Sequence, residues 1–210
     1  MMDAESIDYR KLTIEEFLHK ANSAEPVPGG GSVSALTGAL ASSMGQMVLN
    51  LTIGKEKYKQ FEADCKAGLR SLEKAQKMML QLMDEDIAAF GEYSNVRKLE
   101  KDDATRPSKM AAAVQTCIAV PQEICAVALA MLEDMDRIKE KANVFLLSDL
   151  GVAAILAAAT VKAAAFNIKA NLSSIKDAGQ IEKLKGEIRH DEDKSQQILN
   201  SIEKFLAAKF

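Results

Sequence analysis

Apolar residues recur along this chain at steps of three and four, and no stretch alternates at every second position. That period belongs to helices. Thr13 and Glu16 form a capping box ahead of Ile14, Phe17 and Leu18, which predicts a short helix from Ile14 to Asn22. Residues Ser23 to Gly31 follow as a loop. Its two prolines and three consecutive glycines suit a tight turn with positive φ at a glycine. Ser32 is a suitable N-cap for the next helix. Within it Val33, Leu36, Leu40, Met44, Met47 and Leu51 form one apolar stripe. Ser34, Gly38, Ala41 or Ser42, and Gly45 form a second, small-residue face that lets another backbone approach closely.

From Tyr58 to Leu99 there is no proline, and Phe61, Cys65, Leu69, Leu72, Met79, Met83, Ile87 and Phe90 keep helical spacing. This predicts one long helix with a bend near Gly91. Lys98 to Pro107 reads as a charged loop, and Ser108 as the cap of a helix through Met131 that Pro121 would kink. Asn143 to Ser148 is a connection. Ser148 or Asp149 then caps an Ala-rich helix, Leu150 to about Leu172. After a turn at Ser173 to Gly179, Gln180 to Phe210 forms a charged amphipathic helix. The expected fold is all-α: one domain over residues 1–210, about six helices, two of them unusually apolar and central.

Between Glu25 and Lys55 the chain carries no charge at all. Such a run is a membrane span, a phosphate loop or a buried helix with a special entrance. It is long enough to span a bilayer. However, Ser32, Ser34, Thr37, Ser42, Ser43, Gln46, Asn50 and Thr52 are too many polar groups for lipid exposure. No Lys-Ser/Thr pair follows the glycines, so it is not a Walker loop. No strand precedes it, so it is not a dinucleotide fingerprint. A helix buried by neighbours, including a neighbour across a subunit interface, fits best.

Composition narrows the function classes. Net charge is −3, which argues against nucleic acid as a partner. Cys65, Cys117 and Cys125 are an odd set without CxxC spacing, as expected of reduced thiols in a cytoplasmic protein. The acidic, polar N-terminal segment has no signal-peptide pattern. No His, Cys and carboxylate spacing fits a metal, and no GxSxG or Cys/His set fits a covalent nucleophile.

Several residues carry candidate chemistry. Gly29, Gly30, Gly31 and Ser32 open a helix, so free N–H groups and the positive end of its dipole are available to a ligand. A turn needed only for packing fits the same residues. Asp86 stands seven residues after Met79 and four before Phe90, on the apolar side of its helix. A desolvated acid there gains a raised pKa suited to proton transfer; alternatively, Asp84 and Asp86 straddle a boundary and both see water. Asp149 reads locally as a plain N-cap. Asn167 and Asn171 share a face of an apolar helix and need partners if buried. Lys55, Lys57 and Lys59 complement a helix C-terminus or hold an anionic tail.

The stretch from Pro26 to Tyr58, PVPGGGSVSALTGALASSMGQMVLNLTIGKEKY, resembles the folate-dependent cyclodeaminase/cyclohydrolase family. So do Asp84-Glu85-Asp86 with Ala89-Phe90, Val120-Pro121, Ser148-Asp149 and the run Phe166 to Leu172. The resemblance implies an all-α subunit that forms a homodimer, with a tetrahydrofolate derivative in a cleft lined by these segments. It implies Asp86 as the catalytic carboxyl, with Asp149 stabilising the cation that develops. Gly29 to Ser32, Asn167 and Asn171 would then orient the pterin, and Lys55 would meet the glutamate tail. No cofactor beyond the folate-bound substrate is expected. The leading expectation is a formimidoyltetrahydrofolate cyclodeaminase fed by a separate formiminotransferase. The alternatives are a methenyltetrahydrofolate cyclohydrolase and a non-catalytic binding protein of the same fold. The chain departs from similar proteins at Arg97 to Lys101, where a Leu-Pro-Lys segment is common, and at Val144 to Leu147.

Overall fold

The computed structural model describes residues 7–210, and among these there are six α-helices and no strand. They are α1 (Ile14–Ala21), α2 (Gly30–Asn50), α3 (Glu62–Arg97), α4 (Arg106–Ile138), α5 (Leu147–Asn171) and α6 (Ala178–Ala207). Helices α2 to α5 run up and down in turn. Each packs on the next, and α5 closes back on α2; α6 lies along α4 and α5. The first end of this bundle therefore gathers the start of α2, the last turns of α3, the start of α4 and the end of α5.

The capping box at Thr13 forms as expected, with the Thr13 hydroxyl accepting from the Glu16 N–H. Of the apolar trio on α1, however, only Phe17 is buried, while Ile14 and Leu18 stay exposed. Helix α2 starts earlier than expected. Gly29 is its N-cap, and Ser32 sits inside the first turn with its side chain turned toward α3. No glycine of the run adopts positive φ; among the described residues only Gly54 does, and the Val27–Pro28 peptide is cis.

The faces of α2 are the reverse of a simple hydrophobic reading. The small face is the buried one: Gly31, Ser34, Ala35, Gly38, Ala41, Ser42 and Gly45 pack inward. There Ser42 donates to the Leu72 carbonyl of α3 at 2.6 Å, and Gly45 leaves room for the Leu72 side chain. Of the larger stripe, Val33, Leu40 and Leu51 face outward, 42%, 53% and 47% exposed, while Leu36 and Met44 are half-buried against the core. On the adjoining α5, Val152 and Ile155 are exposed in the same way. Fully buried side chains such as Leu72, Met79, Leu132 and Leu150 fill the bundle centre, each contributing about 1.5–3 kcal/mol.

Other boundaries shift. A 3-10 segment, Glu56–Phe61, precedes α3, and α3 runs unbroken through Gly91. Helix α4 begins at Arg106 with Pro107 in its first turn and Thr105 as N-cap, so Ser108 is not the cap. It continues through Pro121 to Ile138. Proline fits the first turn because the N–H groups there lack intrahelical partners anyway. Helix α5 begins at Leu147, so Ser148 and Asp149 lie in its first turn instead of capping it. Asp177 caps α6, accepting from the N–H groups of Gly179 and Gln180. By length and hydropathy α4 and the segment containing α5 would suffice to cross a bilayer, yet half of each apolar window is buried in the bundle.

Candidate functional site

Asp86 of α3 meets the first turn of α2. The Ser32 hydroxyl donates to Asp86 Oδ2 at 2.7 Å, and the Ser32 backbone N–H also points to this carboxylate. The anion seated at the N-terminus of α2 is therefore supplied by the protein itself. Burial raises the pKa of Asp86 above the usual carboxylate value, and the two Ser32 bonds oppose that rise without cancelling it. A half-buried acid with raised pKa, in contact with a cleft, is suited to take and return a proton.

The glycines serve this approach. A β-carbon on Gly31 would fall onto the Asp86 carboxyl group, and one on Gly30 would stand 3.0 Å from Asn167 Oδ1. Gly30 and Gly31 are thus needed for close contact and not for unusual φ.

Around Asp86 lies a cleft of about 300 Å³, lined by Pro26, Gly29 to Gly31, Phe90, Tyr93, Cys117, Asn167 and Asn171 among others. Asn167 and Asn171 hold their Nδ2 groups on carbonyls: Asn167 donates to Ala163, and Asn171 to Asn167 and to Cys117. Among the described residues no donor occupies either Oδ1, which leaves two acceptors for a ligand that presents N–H groups. The Cys117 thiol donates to the Ala89 carbonyl at 3.6 Å, tying α4 to α3 beside Asp86.

Within one subunit the structure brings together Gly29, Gly30, Gly31, Ser32, Asp86, Asn167 and Asn171. It does not bring Asp149 or Lys55 to them. Asp149 is at the opposite end of α5 from Asn167, about 27 Å away along the helix. Lys55 follows the far end of α2, about 30 Å from Gly30. That far end is closed by Asn143, whose N–H donates to Thr52 Oγ1, and by Tyr58, whose hydroxyl accepts from the Val144 N–H.

Sequence reading missed Tyr93 and Cys117 as wall residues. Tyr93 was open to detection, because it stands seven residues beyond Asp86 and so shares its face. Cys117 gave no signal that separated it from a core thiol.

Comparisons with known proteins identify the family. The family model described as formiminotransferase-cyclodeaminase matches residues 13–190. The methenyltetrahydrofolate cyclohydrolase of Methylorubrum extorquens is 35% identical over 169 residues, covering 79% of this chain and 81% of that protein. The formimidoyltransferase-cyclodeaminase of Sus scrofa is 28% identical over 168 residues, which are 78% of this chain but 31% of that longer protein. The crystal structure of formiminotetrahydrofolate cyclodeaminase from Thermotoga maritima superposes with a TM-score of 0.87 at 24% identity, over 95% of this chain and 98% of that one, a likeness of fold. The chain belongs to the formiminotransferase-cyclodeaminase family, whose named members are folate one-carbon enzymes.

Proposed function

We propose that this protein is a methenyltetrahydrofolate cyclohydrolase. It adds water to the methenyl carbon between N5 and N10 and releases 10-formyltetrahydrofolate. The observation that carries this reading is the 35% identity to a cyclohydrolase along four-fifths of both chains. Asp86 supports it as the acid–base group. The carboxylate takes a proton from water as the oxygen bonds to the methenyl carbon. As the C–N5 bond breaks, the protonated Asp86 carboxyl delivers its proton to N5. The carbinol hydroxyl proton passes to solvent water as the formyl C=O forms, so one proton is released per turnover. The Oδ1 atoms of Asn167 and Asn171 are suited to the amino and ring N–H groups of the pterin.

The cyclodeaminase reading, which leads on sequence alone, uses the same carbon. N10 attacks a formimino group on N5 and ammonia leaves. It is favoured by the 28% identity to the cyclodeaminase of Sus scrofa, and it would need a separate transferase to supply its substrate. Purified protein given each folate separately distinguishes the two by methenyl absorbance, which falls in the first reaction and rises in the second. If neither folate is turned over while folate still binds, the protein is a binding module of this fold.

We propose further that the working unit is a cytoplasmic homodimer joined across the outward apolar faces of α2 and α5. Val33, Leu40, Val152 and Ile155 are too exposed to serve the subunit's own core. A two-fold pairing with the α2 helices antiparallel sets the Lys55 and Asp149 end of one copy beside the Gly29 end of the other. In that arrangement Asp149 serves the partner's site, where its charge favours the cationic methenyl carbon.

A further inference from the structure

Asp86, Phe90, Tyr93 and Arg97 stand at steps of four, three and four on α3, so they form one stripe along one face. The stripe begins at the acid in the cleft and runs outward, along the part of α3 that continues beyond the first turn of α2. Phe90 and Tyr93 line the cleft, and both also line an adjoining groove of about 280 Å³ with Ser94, Arg97 and Lys98. Their rings stand 6.3 Å apart, centroid to centroid, at 47°. The Arg97 guanidinium lies over the Tyr93 ring at 5.9 Å. It leans back toward the start of α3, as long helical side chains do. Arg97 and Lys98 are exposed, and neither forms an ion pair among the described residues.

We infer that this groove seats the glutamate tail of the folate: the p-aminobenzoyl ring lies over Phe90 and Tyr93, and the tail carboxylates meet Arg97 and Lys98. The inference rests on the folate reading above and extends it to a subsite. Dimensions agree. Arg97 is about 16 Å beyond Asp86 along the helix, and its backward lean brings the guanidinium to the level of Tyr93, about 10 Å beyond Asp86. From N10 across the benzoyl ring and the amide to the glutamate carboxylate is also about 10 Å by ordinary bond lengths. Chemistry agrees as well. A planar guanidinium offers paired donors to a carboxylate, and the aromatic pair accepts the flat ring. Lys55, expected from sequence to hold the tail, is at the other end of the same subunit; in the proposed dimer it comes near the partner's site, and the Lys55→Ala arm of the test separates the two assignments.

The test compares a ligand with the tail and one without it. Equilibrium binding of 5-formyltetrahydrofolate and of 5-formyltetrahydropteroate, which lacks the glutamate, is measured on wild type, Arg97→Ala/Lys98→Ala and Lys55→Ala. The KM values of the two corresponding methenyl substrates are measured in parallel. Both groove residues are exposed, so the double variant folds. The wild type should prefer the glutamyl ligand by roughly three- to tenfold, the scale of one or two solvent-exposed ion pairs. The double variant should bind both ligands alike, and Lys55→Ala should keep the preference. An unchanged preference in the double variant, no preference in wild type, or a preference lost in Lys55→Ala instead would each overturn the assignment. Absent turnover with a preference that follows Arg97 and Lys98 sinks the enzyme reading and keeps the tail seat. Absent binding of either folate sinks both.

Discussion

Gly31 lies against Asp86 so closely that a β-carbon on the glycine would fall onto the carboxyl group. Two segments 55 residues apart in the chain are thus fitted to each other, and the fit positions the acid at the mouth of the cleft. Gly31→Ala should push Asp86 off the Ser32 hydroxyl or lift the first turn of α2. We expect a loss of about 1–3 kcal/mol in stability, as for other overpacked sites, measured by denaturant unfolding. Activity should fall with it. Gly30→Ala should be milder, because the atom it approaches is the end of the Asn167 side chain at 3.0 Å.

Asp86→Asn should reduce turnover by about two to four orders of magnitude, the usual contribution of an acid–base group. Its effect on stability should have the opposite sign. Burial holds the pKa of Asp86 above its unfolded value, so the folded state binds this proton more tightly than the unfolded chain. The stability contributed by that proton is complete below the unfolded pKa and is lost as pH rises through the folded one. Above the folded pKa the ionised carboxyl therefore costs stability, and there the variant should melt above wild type. Turnover that survives in the variant would remove Asp86 from the mechanism.

The Ser32 hydroxyl opposes the rise in the Asp86 pKa by donating to the charged form. Without it, Ser32→Ala should move the acidic limb of the kcat/KM profile to higher pH, because the base needed for attack by water ionises later. A profile that loses height without moving would mean that Ser32 only positions the carboxyl.

The helices were legible in the sequence because their apolar periods are long, and the capping box at Thr13 and Glu16 located α1. Asp86 was legible for the same reason: its spacing from Met79 and Phe90 is local. What could not be read was anything that depends on which helices become neighbours. Val33, Leu40 and Leu51 form a sound apolar stripe, yet the bundle buries the opposite face of α2, where small residues allow α3 and α5 to come close. The partner of Ser32 is likewise set by tertiary contact, and a serine after glycines looks locally like a cap. The distance of Asp149 from Asn167 and of Lys55 from Gly30 was legible as well, because each pair is separated by most of the length of one helix; the resemblance grouped them with the site residues regardless.

The outward stripe of α2 gives a direct test of the homodimer. Leu40 is 53% and Ile155 49% exposed, so charge at either position should leave the subunit folded. Leu40→Arg or Ile155→Glu should shift the mass measured by light scattering from two chains to one. If Asp149 acts across the interface, mixing inactive Asp86→Asn with inactive Asp149→Asn should restore part of the activity, through mixed dimers with one intact site. A monomeric wild type of full activity would rule the arrangement out.

At the far end of the bundle, Asp134 of α4 is nearly buried and accepts from the Ser71 hydroxyl at 2.5 Å and from the Arg137 guanidinium. Asp134→Ala removes hydrogen bonds to a charged acceptor and should cost about 1–3 kcal/mol. For a chain of this size each kcal/mol lowers Tm by about 2–4 °C. The KM for folate should not change, because neither Asp134 nor its partners line the cleft. A large rise in KM would mean that the two ends of the bundle are coupled.

The three thiols differ in what they can report. Burial raises the pKa of all three, that of Cys125 to about 12, so each is protonated at neutral pH and reacts slowly. Cys65 and Cys125 are buried in the core, whereas Cys117 is half-buried and borders the cleft. Iodoacetamide should therefore alkylate Cys117 first in the folded protein, as read by peptide mass, at a rate that rises with pH as the thiolate forms. Nearby Asp86 disfavours that thiolate once it is ionised. In Asp86→Asn the same thiol should react faster at a given pH, although catalysis is lost. A bound folate should slow the reaction in both proteins if it fills the cleft beside Asn171. Protection without any effect of the Asp86 substitution would place the ligand in the cleft but leave the thiol outside the field of the acid.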